Sequence, residues 1–295
     1  MSLKFAIISP LRHGKLTHQL MDAFTSKAIP VQQMIPGELG LQYFNSRSES
    51  FLYQKSVLEI PDIALVRGVG TLIPALIFYR LDWLWTLERE GVNLVNSRAC
   101  LEIATNKLLT TQVLCQHHIP NPETIMCEEP ELALRAFDTL GGDVVLKPLY
   151  GARGRGIVRL MDHRHAETVF RVLHEIPEIF YLQKFYDHGQ EDYRLLVVGD
   201  QVLAAMKRKA KSWKTNVSRG AIPEWWIPPG DLQELAIKAA KAVQGEIIGV
   251  DLMLTHQGPM IIEVNAVPGY LGLQSVCPFN ISEKIVEFLV ARGKK

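Results

Sequence analysis

Short apolar runs alternate with longer amphipathic segments through the first third of the chain. Residues 5–9 form an apolar run of strand length, and 16–27 carry a helical repeat that stops before Pro30. Residues 31–35 and 63–67 read as further strands, the second entered through the turn Pro61-Asp62. The segment 72–90 has helical length, with Pro74 in its first turn, where a missing N–H costs nothing. Residues 93–96 return to strand. This rhythm predicts a small open parallel sheet flanked by helices.

The pattern then changes. Residues 98–117 read as one helix, closed by Ile119-Pro120-Asn121-Pro122. Strands follow at 143–148, 157–160 and 180–185, with a helix at 165–174. Two hairpins are predicted. One joins 193–198 to 202–207 around Gly199-Asp200, and the other joins 248–255 to 260–264 around His256-Gln257-Gly258-Pro259. Helices at 232–244 and 282–292 complete the reading. With no internal repeat and no low-complexity linker, the expected division is an α/β domain over 1–95 and a second, α+β domain over 96–295. The second domain is expected to split into subdomains near 96–180 and 181–295.

Composition narrows the class. Apolar residues are 47% of the 295 and charged residues 21%, enough to bury a substantial core and too apolar for a disordered chain. The formal net charge of +1 argues against a dedicated nucleic-acid binder. No apolar run approaches the ~20 residues of a membrane span. Lys4 is followed by only four apolar residues before Ser9-Pro10, which suits a first strand better than a secretory signal. Cys100, Cys115, Cys127 and Cys277 form no CxxC pair, and the histidines show no HxxxH or HExxH spacing. Neither a zinc site nor a disulfide framework is expected, and the thiols are read as reduced, in the cytoplasm.

Three features carry chemistry. Pairing outward from Gln257 sets Asp251 opposite Glu263, with Asn265 two residues on and therefore on the same face. The other face, Leu252, Leu254, Ile262 and Val264, reads as core. Oxygen donors gathered on one face suit magnesium held jointly with substrate phosphates, the alternative being a solvated acidic face. Second, the strand ending at Lys147-Pro148 runs into Gly151-Ala152-Arg153-Gly154-Arg155-Gly156. This GxxGxG precedes a strand, so it fits neither a dinucleotide fingerprint nor a P-loop, yet such a hairpin can cover phosphates. Lys147 at the end of an apolar strand calls for an anionic partner. Third, residues 207–220 hold six basic side chains and no acid. They read as a wall for phosphates and an anionic substrate, as a solvated loop, or as a nucleic-acid patch.

In order, Lys147, the glycine loop, Gln183-Lys184-Phe185, Asp192-Tyr193-Arg194, Lys207-Arg208-Lys209-Ala210-Lys211, Gly249-Val250-Asp251 and Glu263-Val264-Asn265-Ala266-Val267-Pro268-Gly269 resemble the ATP-grasp superfamily, in particular its RimK-like glutamate ligases. The likeness spans Asn96 to the C-terminus. The first 95 residues fit only as the Rossmann-like α/β domain that precedes an ATP-grasp domain.

The resemblance implies ATP between two α+β subdomains. Lys107, Lys147 and the loop glycines Gly151, Gly154 and Gly156 would meet the phosphates. Residues 183–185 would form the adenine hinge through backbone groups, and Asp192 would hold the ribose. Arg208 and Asn216 would face the γ-phosphate, and Asp251, Glu263 and Asn265 would ligate two Mg²⁺ ions, with Mn²⁺ as the alternative. Catalysis would rest on Lys147, Arg208 and Asn216. Two departures stand out. The family's usual Gln-Glu-Tyr hinge is Gln183-Lys184-Phe185 here, and its Glu-Arg-Arg-Ala-Lys is Lys207-Arg208-Lys209-Ala210-Lys211.

The implied reaction is ATP-dependent carboxylate–amine ligation through an acyl phosphate, with glutamate as the amine. Ser212-Trp213-Lys214-Thr215-Asn216 looks more similar to the archaeal-type ligases of pterin and deazaflavin cofactors than to the ribosomal-protein enzyme, which points to a pterin-type acceptor, with Trp213 and Arg219 expected to meet it. A protein or peptide C-terminus is the alternative acceptor. An ATP-binding regulatory module without turnover is the alternative of another class. Neither a membrane nor a nucleic acid is an expected partner, and a homo-oligomer is expected.

Overall fold

The computed structural model describes residues 3–44, 48–53, 56–57, 59–70, 73–149, 156–175, 179–215 and 220–294. The N-terminal segment runs β1 (Phe5–Ile8), α1 (Lys15–Thr25), β2 (Val31–Met34), β3 (Leu39–Phe44), β4 (Ser48–Tyr53), β5 (Ser56–Val57), β6 (Ile63–Val66), α2 (Pro74–Arg89) and β7 (Asn93–Val95). Strands β2-β1-β6-β7 form the parallel sheet the pattern predicts. All four residues of β1 and of β6 are buried, as strands covered on both faces require. Pro74 occupies the first turn of α2, as expected. The antiparallel sheet β3-β4-β5 was not foreseen.

The single helix expected over 98–117 is two, α3 (Arg98–Thr105) and α4 (Lys107–Gln116). Asn106 breaks it, leaving helical geometry at φ −106° and ψ 109° and accepting hydrogen bonds from the amides of Leu108 and Leu109. An asparagine side chain competes well for such amides, so it caps one helix rather than extending another. Lys107 thereby becomes the first residue of α4.

A small layered unit follows: β8 (Thr124–Cys127), α5 (Pro130–Thr139), β9 (Val144–Lys147), β10 (Val158–Leu160), α6 (His163–His174) and β11 (Phe180–Lys184). Its antiparallel sheet, β10-β9-β11-β8, carries both helices over a core that includes Phe137, Phe170, Phe180 and Leu182. The chain ends with β12 (Glu191–Val198), β13 (Gln201–Lys209), β14 (Ile222–Trp225), α7 (Gly230–Ala242), β15 (Ile247–Thr255), β16 (Gly258–Asn265), α8 (Leu271–Gln274) and α9 (Ile281–Arg292). Strands β14-β13-β12-β15-β16 make one antiparallel sheet.

Hydrophobic packing does not divide at residue 95. Ala6, Leu84 and Leu94 share one cluster with Leu195, Val250 and Val264, while Phe24 and Leu65 share another with Leu196 and Leu289. Cys100, Leu101 and Leu114 of α3 and α4 pack into the first of these, so the helices join the large body rather than the small unit at 124–184. Asn96 ties the junction. Its buried amide donates to the carbonyls of Ile247 and Ala266 at 2.8 and 2.7 Å and accepts from the amides of Glu246 and Ile247 at 2.7 and 2.9 Å. Among the described residues, no helix is long and apolar enough to cross a membrane.

Candidate active site

A cavity of about 370 Å³ opens between the small unit and the five-stranded sheet. Eleven of the residues given a role above line it: Lys107, Lys147, Gln183, Lys184, Phe185, Asp192, Arg208, Trp213, Asp251, Glu263 and Asn265. Gly156 stands where the chain returns from the glycine loop, with φ +73° and Pro148 packed against it. A side chain there would be strained in a left-handed backbone. Gly151, Gly154, Asn216 and Arg219 lie outside the described residues.

Asp251 pairs with Glu263 in register and Gly249 with Asn265, which brings the three side chains to one face. A bulge makes this so. Nearest the turn Thr255 pairs with Gly258 and Leu252 with Ile261, so the tip centres between His256 and Gln257 rather than on Gln257. One extra residue on β16 then shifts the pairing. The expected apolar back face is corrected accordingly. Leu252 and Val264 are core, but Leu254 is exposed, and Ile262 packs with Tyr186, Met253 and Met260 at the cavity. Gly249 admits Pro268, whose Cβ lies 3.0 Å from where a Gly249 Cβ would stand.

One half of the site is a closed lattice of charge. Arg208, 2% exposed, donates from Nε and Nη2 to the two oxygens of Asp192 at 2.6 Å each, and its Nη2 lies 3.1 Å from Asp251 Oδ2. Arg194 grips Asp251 through Nε and Nη2, again at 2.6 Å each. Thr215 donates its hydroxyl to Asp192 at 2.5 Å. Burial alone would raise the pKa of Asp251, but the two guanidiniums facing it hold it below the ordinary carboxylate value. Burial pushes Asp192 up against the pull of Arg208. Asp192 lines the cavity with both carboxylate oxygens already engaged.

The other half is open. Lys147 Nζ donates to Gln183 Oε1 at 2.5 Å, and Lys107 Nζ to the carbonyl of Leu149 at 3.1 Å. Burial lowers both ammonium pKa values, that of Lys147 to about 8, and Glu263 is the carboxylate that opposes each shift. Yet among the described residues neither lysine closes an ion pair, and the Glu263 carboxylate has no hydrogen-bond partner. Asn265 Nδ2 is buried without an acceptor. Gln183 is fully used, since its Nε2 donates to Thr124 and Tyr181 at 3.0 and 2.9 Å. At the cavity wall it orients Lys147 and has no donor to spare.

At residues 183–185, the expected hinge, two backbone amides are already spent. The amides of Lys184 and Phe185 donate to the carbonyls of Glu123 and Asp143, each at 2.9 Å, so neither is free for a base. Among the described residues, Tyr186 is the next with an uncommitted amide, and it lines the cavity. The departure at Lys184 has a local reason. Its ammonium pairs with Glu123 at 3.0 Å, which also accepts from the Tyr186 hydroxyl at 2.8 Å.

The basic stretch is not a bare positive wall. Lys207 and Lys209 meet Glu191 at 2.6 and 3.7 Å, Arg208 meets Asp192 and Asp251, and Lys214 donates to the carbonyl of Ile157 at 2.7 Å. Lys209 also meets Glu224 of β14 at 3.4 Å, so the acids come from β12, β14 and β15, outside the stretch itself. Trp213 lines the cavity and packs edge-on to Phe185, 6.0 Å between centroids. Residues given no role by sequence reasoning complete the site: Arg194, Thr215, Tyr186 and Lys214. Pairing outward from Gly199-Asp200 would have set Asp192 opposite Lys207, and the shift between Leu196 and Val197 is what brings it opposite Arg208. No local signal sets Arg194 beside Asp251, because β12 and β15 are distant in sequence.

The sequence model of the RimK-like ATP-grasp domain matches residues 104–289. The chain belongs to the RimK-like ATP-grasp family. It is 34% identical to a tetrahydromethanopterin:α-L-glutamate ligase of Methanocaldococcus jannaschii, covering 81% of this chain and 82% of that one. A protein of the same name from Methanococcus maripaludis is 32% identical over 97% of both chains. A ribosomal protein bS6–L-glutamate ligase of Escherichia coli is 30% identical over 77% of this chain and 76% of its own. Among solved structures, the ATP-grasp ligase PsnB complexed with minimal precursor, Mg and ADP superposes with a TM-score of 0.75, covering 99% of this chain and 98% of that one at 16% identity, a likeness of fold.

The donor set fits the family's magnesium. Glu263 and Asn265 offer hard oxygen ligands beside Asp251, whose Oδ1 accepts only one of the hydrogen bonds described. No group of three His, Cys, Asp or Glu side chains among the described residues forms a cage. Few protein oxygens, completed by phosphates, is the pattern magnesium favours.

Proposed function

We propose that the protein is an ATP-dependent carboxylate–amine ligase that joins L-glutamate to the carboxylate of a pterin-type acceptor, releasing ADP and phosphate. The observation that carries this reading is the gap between Lys107, Lys147 and Glu263. Two desolvated ammonium groups feel one carboxylate without closing an ion pair with it. A triphosphate with its metal would fill that gap and satisfy both signs of charge.

In this reading the phosphates lie against Lys107 and Lys147, under the loop that carries Gly151, Gly154 and Gly156. Their charge restores full protonation of Lys147, and Gln183 keeps that ammonium aimed. The base lies along the hinge, with the Tyr186 amide as the available donor. Arg208 holds Asp251 in place and retains N–H groups beyond those spent on its two carboxylates for the transferring phosphoryl group. Asn216 is assigned to the same region by resemblance to the family. Two Mg²⁺ ions held by Asp251, Glu263 and Asn265, or Mn²⁺ in their place, would supply charge neutralisation at the phosphate oxygens.

The acceptor carboxylate attacks the γ-phosphorus, ADP leaves, and the glutamate amine then attacks the acyl carbon. A C–N bond forms, the C–O bond to phosphate breaks, and the amine gives up a proton. The residues contribute positioning and charge, so no nucleophilic side chain is needed. The glycine loop and Trp213, with Lys214 bridging to Ile157, would keep water from the acyl phosphate.

The pterin acceptor is favoured by identities of 34% and 32% to tetrahydromethanopterin:α-L-glutamate ligases over most of the chain. The test is incubation with ATP, Mg²⁺, L-glutamate and tetrahydromethanopterin, following ADP and the acceptor's mass. One glutamyl increment per ADP is expected. Turnover with a bS6 C-terminal peptide instead would move the acceptor to protein. ATP binding without ADP release from either would leave a regulatory module.

A further inference from the structure

Arg67 directly follows β6, beside the end of β1, where the connections of the parallel sheet leave in opposite directions. Such switch points are where open α/β sheets receive ligands. The Arg67 side chain is half-buried. Its Nη2 donates to the carbonyl of Pro268 at 2.8 Å, and its guanidinium lies 5.6 Å from the centre of the Tyr270 ring. Burial lowers its pKa, and only the Tyr270 hydroxyl opposes that shift. Among the described residues it meets no carboxylate. The two arginines that line the cavity or stand beside its acids are paired, Arg194 with Asp251 and Arg208 with Asp192 and Asp251, whereas Arg80, which donates to the carbonyl of Val69, meets no carboxylate among the described residues either.

The loop it touches follows directly from the face of Glu263 and Asn265. Ala266 and Val267 line the cavity from that loop, and Val69 lines it from the strand side, two residues beyond Arg67. Arg194 Nη1 reaches the carbonyl of Gly269 at 3.4 Å, so two guanidiniums hold adjacent carbonyls and only one of them lacks an acid. A desolvated cation beside the cavity, met by one carbonyl and one ring but by no acid among the described residues, is costly unless an anion arrives there.

We infer that Arg67 anchors a substrate carboxylate that does not react, beside the cavity at the junction of the N-terminal sheet and the 266–270 loop. The inference rests on the ligase reading. Glutamate brings two carboxylates that stay unreacted, because its amine forms the new bond. An acceptor with a second carboxylate is the other source. A planar guanidinium with N–H groups to spare suits a bidentate carboxylate.

The bland alternative is a strut that only holds Pro268. Arg67→Gln separates the two, because glutamine keeps an N–H donor for that carbonyl and loses the charge. The expected result is a KM at least tenfold higher for one carboxylate substrate, kcat within about threefold, and unchanged ADP affinity by calorimetry. A rise for L-glutamate identifies the amino acid as the source, and a rise for tetrahydromethanopterin identifies the acceptor. Unchanged KM for both overturns the inference. Should that variant fail to fold, Arg67→Lys keeps the charge but not the fork, and unchanged KM for both substrates again overturns it. If the wild-type protein turns over no acceptor, the ligase reading fails separately. Arg67 is then judged by calorimetry with glutarate in the presence of ADP and Mg²⁺. Binding to wild type that weakens at least tenfold in Arg67→Gln supports the anchor, whereas equal binding, or none to wild type, overturns it.

Discussion

The two halves of the cavity treat charge in opposite ways. Around Asp192, Arg208, Asp251 and Arg194, each guanidinium meets a carboxylate head-on at 2.6 Å. Beside and opposite them, Lys107, Lys147, Glu263 and Asn265 keep groups unmatched among the described residues. The first half is complete without a ligand and fixes geometry. The second is complete only when a ligand brings the missing charges. Substitutions in the closed half should therefore damage the fold and the chemistry together, and substitutions in the open half the chemistry alone.

The largest expected effect is at Asp251. Asp251→Asn leaves Arg194 and Arg208 facing a neutral amide, and breaking a buried pair costs roughly 3–5 kcal/mol. Urea denaturation should show that loss alongside lost turnover. A variant of wild-type stability would mean the lattice is not the structural half. Glu263→Gln is the contrasting case. Its side chain has no described partner to lose, so the denaturation midpoint should stay within error. Turnover should fall by about 10²–10³, the usual cost of one electrostatic contact to the reacting group. A destabilised Glu263→Gln protein would blur the distinction between the halves.

Lys147→Met comes next. Removing one charge-assisted contact should weaken ATP about tenfold or more, taking roughly 1.5–3 kcal/mol for such a bond. Its pH dependence sharpens the point. The folded pKa of about 8 lies below the unfolded value of 10.5. Across that window the unfolded chain holds a proton that the folded chain releases, so ligand-free stability gains from this lysine as pH rises. ATP needs the protonated form, so its affinity should fall above pH 8. Calorimetry with ADP and denaturation, each from pH 7 to about 10, should show opposite slopes that both flatten in Lys147→Met.

The smallest effect is at Trp213. Its edge contact with Phe185 predicts a KM for ATP about three- to tenfold higher in Trp213→Ala, the scale of one aromatic pair. The KM for the acceptor should stay level. An acceptor-only effect would return Trp213 to the acceptor surface.

The ordered motifs from Lys147 to Asn265 were readable because strand ends, turns and glycines are local signals. Neutralisation of the basic stretch was not readable, because Glu191 and Asp192 reach Lys209 and Arg208 only through strand register. Nor was the split at Asn106, where one side chain outcompeted a continuous helical pattern.

From residues alone came the parallel N-terminal sheet, the two hairpins and the set Asp251, Glu263 and Asn265. Each depends on periodicity or on contacts between chain neighbours, which the order of residues specifies. Tertiary structure decided which charges are spent. Both hairpins contain a one-residue irregularity, between Leu196 and Val197 and between Asp251 and Leu252. A one-residue slip turns a strand's side chains to the other face. Without those shifts Arg208 would not oppose Asp192, nor Glu263 oppose Asp251. The bulges, and the pairing of β12 with β15 that delivers Arg194 to Asp251, follow from how sheets pack against helices and against one another. That packing energy is summed over residues far apart in the chain, and no local window contains it.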